Sequence, residues 1–356
     1  MRPDHHAIEV PGAPGGGSGP VPGSRGRLMI ETLEEGLSRV SGERVRVRSI
    51  RASELRKSTS FPIYRVAVRL QSGDVLSAVF KDLNPLRQLQ SAQRVRRLEL
   101  GRSRREIWMY RHVLPALALG TPRLYGYRWE PKGGNLWLFV EDAGPHRLGH
   151  RLDLALFERA AAWAGRFHAA TAGTWGDERL LRYDRAHYER RGRRLEACLE
   201  RIAAERRPLV ERALARYGRL VELVDGLPHG MVHGELFGKN VLVRRDRTTG
   251  AIAVIDWETA ATGPQHVDLV SLSAGRWTSS QRLAMRRAYF DARHSPVPAG
   301  VDWRRFNQQV DVVAILQAVS WLSFWVASDA SDPKYASHVS RWVRELAITM
   351  GEDVSA

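Results

Sequence analysis

The chain alternates between two hydrophobic rhythms. Apolar residues at Ile30, Leu33, Leu37 and Val40 recur with helical spacing and predict a helix over Met29 to Val40. Three strand-like runs follow, Arg44 to Ile50, Tyr64 to Leu70 and Val75 to Leu83. Gln71-Ser72-Gly73-Asp74 between the last two predicts a hairpin turn. A helix through Glu106, Trp108 and Tyr110 is expected to stop at Pro115, because an interior proline removes a helical hydrogen bond. Leu124 to Trp129 and Leu136 to Val140 read as another strand pair, split by Pro131-Lys132-Gly133-Gly134.

Beyond Gly144 the pattern turns helical. Leu156, Ala160, Trp163, Ala164 and Phe167 mark one face of a helix. An Arg-rich helix is expected from about Arg185 to Arg207, and others near 279–293, 303–327 and 336–349. A β-like island, Met231 to Asp256, interrupts this half, and no internal repeat is visible. The reading is an α+β chain: a strand-rich N-terminal lobe over 28–142 and a larger helical C-terminal lobe over 143–350, with the linker near Glu141 to Gly144. A length of 356 residues suits two domains or one bilobal unit. Residues 1–27 hold fourteen Gly, Pro or Ser and cannot bury enough apolar surface to offset their ordering entropy, so a disordered leader is expected there. His5 and His6, adjacent and without further ligands, read as part of that solvated tail.

Composition narrows the classes. Hydrophobic residues at 43% and charged residues at 26% exclude collagen, coiled coil and wholesale disorder. The net charge is +16, and only five of the 55 basic residues are Lys. Such a balance favours anionic partners, although arginines spread over helix faces give the same arithmetic. The clustered cations of Arg94–Arg105 and Arg185–Arg207 suit nucleic-acid phosphates, but no RNP-type aromatics, zinc finger or helix-turn-helix accompany them, so nucleic-acid binding is not expected as the main function. Cys198 is the only cysteine, which excludes an internal disulfide and fits a reducing compartment. No apolar signal segment opens the sequence, so the expected location is the cytoplasm. The most apolar stretch, Val310 to Val326, is interrupted by Asp311, Gln317, Ser320 and Ser323 and reads as a buried core helix rather than a membrane span.

The island carries the chemistry. Met231-Val232-His233-Gly234-Glu235 runs from a strand into a loop with a histidine and a carboxylate, and an amide, Asn240, follows five residues on. A turn through Thr248-Thr249-Gly250 leads back to Ala253-Val254-Ile255-Asp256, so that Asn240 and Asp256 fall at neighbouring strand ends. An amide oxygen and a carboxylate there can hold Mg²⁺, which takes hard oxygen ligands and keeps positions open for phosphates. Glu235 lies at the same mouth, placed to orient a nucleophile.

The pattern His-Gly-acid, Asn five residues after the acid, then Ile255-Asp256-Trp257-Glu258 and Gly263-Pro264 before Asp268-Leu269, resembles the aminoglycoside phosphotransferase and choline kinase branch of the protein-kinase-like superfamily. The resemblance covers about 28 to 350, with strong motifs between 231 and 272. It implies a bilobal protein-kinase-like fold, an antiparallel-sheet N-lobe and a mainly helical C-lobe with ATP between them. It implies that Glu235 accepts or orients the proton of a substrate hydroxyl, that Asn240 and Asp256 hold Mg²⁺, that His233 braces the loop and that Asp268 supports it. Lys81, in Ala78-Val79-Phe80-Lys81, resembles the strand lysine that meets ATP phosphates, with Glu106 as its partner, and Glu141 lies in the segment resembling the adenine-binding hinge.

Two departures stand out. No G-x-G-x-x-G loop is present; Ser58 and Ser60, in Arg56-Lys57-Ser58-Thr59-Ser60, occupy the place of the phosphate-covering turn. The family's catalytic aspartate is replaced by Glu235, longer by one methylene, and a shift of about 1 Å can cost on the order of 100-fold in rate. The resemblance points to a small-molecule hydroxyl acceptor such as a sugar, an amino alcohol or an antibiotic-like metabolite. Eight Arg against four Glu over 185–207 speak against a polycationic one. The alternatives are a peptide Ser/Thr kinase working with a modification partner, and a nucleotide-binding pseudokinase.

Overall fold

The computed structural model describes residues 8–11, 18–20, 23–55, 61–89, 99–150, 153–173, 177–244, 252–295, 302–328, 332 and 334–352. The chain divides into two compact units, Met1–Pro145 and His146–Ala356.

The first unit is built on one sheet. Strands β1 (Ile8–Pro11), β2 (Ser18–Pro20), β3 (Val47–Glu54), β4 (Ile63–Leu70), β5 (Val75–Asp82), β6 (Leu124–Glu130) and β7 (Asn135–Glu141) lie in the order β2-β1-β3-β4-β5-β7-β6. All neighbours are antiparallel except β1 and β3. Apolar residues alternate inward: Val66 and Val68 on β4, Ala78 and Phe80 on β5, and Trp137 and Phe139 on β7 are buried. Helix Gly23–Ser41 covers that face with Met29, Leu33 and Leu37. Its Gly36 lies so close to the Tyr125 carbonyl of β6 that a β-carbon would collide with it, which brings helix and strand backbones together.

Two expectations need correction in this unit. The leader is not unstructured throughout: Ile8–Pro11 and Ser18–Pro20 pair at the sheet edge, and helix Gly23–Ser41 starts before Leu28. Edge pairing uses backbone N–H and C=O groups alone, so a Gly- and Pro-rich segment can supply it. His5 and His6 lie outside the described residues, as does 90–98 of the first basic stretch. Pro115 does not stop its helix. Helix Leu100–Trp108 widens into a π turn at Met109–Val113, and Pro115 lies in the turn that follows it directly, Leu114–Leu117. The chain leaves that helix at Ala118, with φ 49°.

The second unit is mainly helical. Its helices are Leu154–Ala170, Arg185–Glu196, Arg207–Glu222, His266–Ser273, Ser279–Arg293, Trp303–Val326 and Tyr335–Met350. Two small sheets interleave with them. One has the order β10-β13-β9, from His229–Val232, Ala261–Pro264 and Leu181–Arg182; the other β12-β11-β8, from Ile252–Val254, Val241–Val243 and His146–Arg147. The basic run expected as one helix over 185–207 is two. The first ends at Glu196, a 3-10 turn follows at Leu199–Arg201, and Pro208 opens the second helix in its first turn. Helix Trp303–Val326 is long and apolar enough to cross a membrane by length and composition, yet most of its apolar window is buried within this unit. Its polar interruptions are satisfied: Asp311 pairs with Arg286 at 2.6 Å, Gln317 donates to Ser271, and Ser320 and Ser323 bond back to their own helix.

Candidate active site

The loop after β10 is fixed from behind. The two carboxylate oxygens of Asp268, fully buried in helix His266–Ser273, accept the backbone N–H groups of His233 at 2.7 Å and Gly234 at 2.9 Å. Oδ2 of Asp268 also takes the Nε2 hydrogen of His168 at 3.1 Å, and His168 Nδ1 accepts the hydroxyl of Tyr289 at 2.7 Å. Burial holds His168 below the ordinary imidazole range despite the opposing pull of Asp268, so it sits there neutral. Gly234 has φ +84°, and a β-carbon there would lie 2.5 Å from the Thr259 carbonyl. Only glycine fits between His233 and Glu235.

His233 ties this loop to the next. Its Nε2 lies 2.8 Å from the carbonyl of Ile255, and its Nδ1 accepts the backbone N–H of Glu235 at 3.2 Å. A carbonyl can only accept, so the hydrogen is on Nε2 and the ring is the neutral tautomer. Thr259 donates to the His233 carbonyl at 3.1 Å, and the Trp257 ring packs on the imidazole at 4.6 Å between centroids.

Asn240 and Asp256 meet at the end of the β11–β12 pair. The register sets Val241 opposite Val254, and the Ile255 N–H donates to the Asn240 carbonyl at 3.0 Å. Thr248, Thr249 and Gly250, expected as the turn of this pair, lie outside the described residues. The Asn240 amide donates through Nδ2 to the Glu235 carbonyl at 2.9 Å, so Oδ1 is the atom that could meet a cation. Asp256 adopts the left-handed conformation, φ 66° and ψ 61°; besides Ala118 it is the only described non-glycine residue at positive φ. Such a backbone costs about 1–3 kcal/mol and persists where its surroundings over-determine it. Here the buried Trp257 on one side and the bond at Ile255 on the other hold it. The Glu235 side chain, 13% exposed, lies 3.4 Å from the Lys239 ammonium, four residues on.

In the first unit, Lys81 and Glu106 form a buried ion pair, with Nζ and Oε1 2.7 Å apart and side chains 7% and 3% exposed. Strand β5 supplies the lysine and helix Leu100–Trp108 the glutamate. Glu141 ends β7, where its Oε2 accepts the Arg123 N–H at 3.1 Å. The adjacent Asp142 is held by Arg65 at 2.7 Å and Ser77 at 3.0 Å. Ser58 and Ser60 lie outside the described residues.

Among the described residues no cluster of three or more His, Cys, Asp or Glu could hold a metal ion. Mg²⁺ needs no such cluster, since it binds through one or two protein oxygens and completes its shell with water and phosphate. The hard oxygens of Asn240 and Asp256 fit that chemistry.

Sequence reasoning missed His168, Tyr289 and Lys239. His168 falls on the apolar face already marked by Trp163 and Phe167, where a lone histidine gives no pairing signal. Lys239 was visible as one of five lysines, placed four residues from Glu235 on a loop.

Residues 65–306, more than half of the chain, match the model of the phosphotransferase enzyme family (APH). The chain belongs to this family. It is therefore an enzyme, a phosphotransferase with an alcohol group as acceptor. No curated protein sequence matches it. Solved structures agree in fold. The microcompartment-associated aminopropanol kinase is 14% identical with a TM-score of 0.58, over 85% of this chain and 91% of that one. Wild-type aminoglycoside 2'-phosphotransferase-IIIa, solved with GDP, is 14% identical with a TM-score of 0.56, over 88% and 97%. A choline/ethanolamine kinase family protein from Mesorhizobium loti is 15% identical with a TM-score of 0.50, over 80% and 84%. The fold of this phosphotransferase is accordingly the α+β, protein-kinase-like one.

Proposed function

We propose that this phosphotransferase moves the γ-phosphate of ATP to a hydroxyl of a small molecule, with Glu235 as the group that receives the hydroxyl proton. One observation carries the reading. The loop with Glu235, the amide of Asn240 and the strand end with Asp256 are locked together by the His233 bridge to Ile255 and the Asn240 bond to the Glu235 carbonyl. Phosphoryl transfer relies on positioning and electrostatics more than on covalent chemistry, and a rigid junction of this kind supplies positioning.

The residues divide the work. Asn240 Oδ1 and the Asp256 carboxylate would hold Mg²⁺, which neutralises charge on the phosphates when bound. Lys81, fixed by Glu106, meets nucleotide phosphate, and the backbone at Glu141 meets the base. Ser58 and Ser60 are proposed to cover the phosphates. Glu235 Oε1 or Oε2 takes the acceptor proton as the oxygen attacks, and His233 and Asp268 keep the loop in place. The lone Cys198 is in keeping with a cytoplasmic enzyme.

The test begins with calorimetry of MgATP on the purified protein, followed by ADP release with a panel of sugars and amino alcohols. Micromolar, Mg²⁺-dependent binding is expected, with at least one acceptor raising ADP release. Glu235→Gln should lower that release on the order of 100-fold and leave nucleotide binding within about twofold. Absence of MgATP binding would overturn the reading and make Glu235 the mark of a lost active site.

A further inference from the structure

Among the described residues, Arg191 is a half-buried cation with no paired counter-charge. It lies on helix Arg185–Glu196, whose buried face is Tyr188, Gly192 and Leu195. His187 and Arg191, one turn apart, flank that face. The carboxylates nearby are engaged elsewhere: Glu189 pairs with Arg185 at 3.2 Å and faces Arg193 at 3.9 Å, while Asp184 caps the helix by accepting the His187 N–H at 2.8 Å. Arg191 makes no hydrogen bond or ion pair with any described residue. Burial above all, and then Arg194 and Arg190, pull its guanidinium below the usual range, while Tyr183 acts the other way. Burial and the charges of Arg191 and Arg190 push His187 down to about 3, so its ring is neutral.

A partly desolvated cation without a partner is costly, and the cost is relieved when an anion arrives. The position adjoins the loop already described. The Tyr183 ring lies 4.7 Å from that of His187, and its hydroxyl lies 2.9 Å from where a β-carbon on Gly234 would stand. Tyr183 thus links the Arg191 face of the helix to the residue before Glu235, and its own backbone is fixed by the Thr262 carbonyl at 2.8 Å.

We infer that Arg191 receives an anionic group, a carboxylate or a phosphate, on the alcohol that this enzyme phosphorylates. The inference rests on the proposed kinase reading and adds the acceptor's charge to it. It sets the acceptor apart from an aminoglycoside, the polyamine class in the name of one structural neighbour, which Arg190, Arg191 and Arg194 would repel.

Four hexoses of similar size separate the cases: glucuronate, glucose 6-phosphate, glucose and glucosamine. Each is titrated by calorimetry into the full chain saturated with MgADP, after MgADP binding itself has been recorded. At least one anionic sugar is expected to bind about tenfold or more tighter than glucose, with glucosamine weakest. A preference for glucuronate identifies a carboxylate acceptor, and one for glucose 6-phosphate a phosphorylated acceptor. Arg191→Gln should erase the preference, and Arg191→Glu should turn it toward glucosamine. Arg191→Met provides a second neutral variant, and both neutral variants should melt no lower than wild type because they remove a half-buried charge that has no partner among the described residues. Equal binding of all four sugars, no binding, or a preference that survives Arg191→Gln and Arg191→Met overturns the proposal. Loss of MgADP binding would instead count against the kinase reading.

Discussion

The imidazole of His233 donates its Nε2 hydrogen to the Ile255 carbonyl, 2.8 Å away, across the gap between two loops. Ile255 immediately precedes Asp256, and Glu235 bonds through its backbone to the other ring nitrogen. One neutral ring therefore sets the spacing between the carboxylate proposed to take a proton and the carboxylate proposed to hold a metal.

His233→Ala should separate these two loops. Leaving buried donors and acceptors unpaired costs about 1–3 kcal/mol each, so stability to urea falls measurably. The sharper readout is kinetic: kcat should fall more than 10-fold while the KM for ATP changes little, since the residues proposed to bind nucleotide in the first unit are untouched. A variant that loses stability but keeps kcat would show His233 to be a packing residue only.

Asp256 permits an unusually clean substitution. Asparagine tolerates the left-handed region and keeps an oxygen, but it lacks the charge. Asp256→Asn should keep the melting temperature within a few degrees and reduce turnover at least about 100-fold, with an increased Mg²⁺ requirement. Asp256→Ala should abolish turnover without unfolding the protein, at an added cost from its positive φ. Wild-type turnover in both would remove Asp256 from the site.

The Lys81–Glu106 pair can be dissected by a mutant cycle. Lys81→Met deprives a buried carboxylate of its lysine partner and should cost about 3–5 kcal/mol in urea unfolding. Replacing both residues, Lys81→Met with Glu106→Leu, should recover most of that stability while phosphoryl transfer stays lost. If the double variant is no more stable than the single one, the buried charges are not what the lysine compensates.

Acid sensitivity follows from the buried histidines. His266 is almost fully buried and pushed down to about 3, chiefly by burial, with the charge of Arg293 acting the same way. Its value in the unfolded chain is about 6.5. Between these limits the unfolded chain binds a proton that the folded protein refuses, so stability is full above about pH 6.5 and is lost as pH falls toward 3. His266→Phe should flatten the dependence of unfolding free energy on pH by up to about 1.4 kcal/mol per unit below pH 6.5. Superimposable slopes for variant and wild type would refute this assignment.

The helix and strand rhythms were legible because burial imposes them. Val66 and Val68 alternate on a strand, and Val313, Leu316 and Val319 recur on a helix. The juxtaposition of His233, Asn240 and Asp256 was legible because a strand pair brings fixed spacings in sequence to one strand end. What escaped notice depended on tertiary context. Nothing in the local sequence shows that a π turn lets the chain pass Pro115, or that Asp268 and Tyr289 take up the two nitrogens of His168. Arg191 was hidden differently. Among fifty arginines its identity carries no signal, and only the fold shows that its neighbours' carboxylates are committed elsewhere.

The scarcity of lysine has a practical side. Of the four described lysines, Lys81 is sealed in its ion pair, while Lys132, Lys239 and Lys334 are exposed. Lys239, 53% exposed and beside Glu235, is thereby an addressable amine on the loop proposed to be catalytic. An acylating dye attached there would report on occupancy of the loop by its own spectrum, in a chain that offers such reagents few other targets.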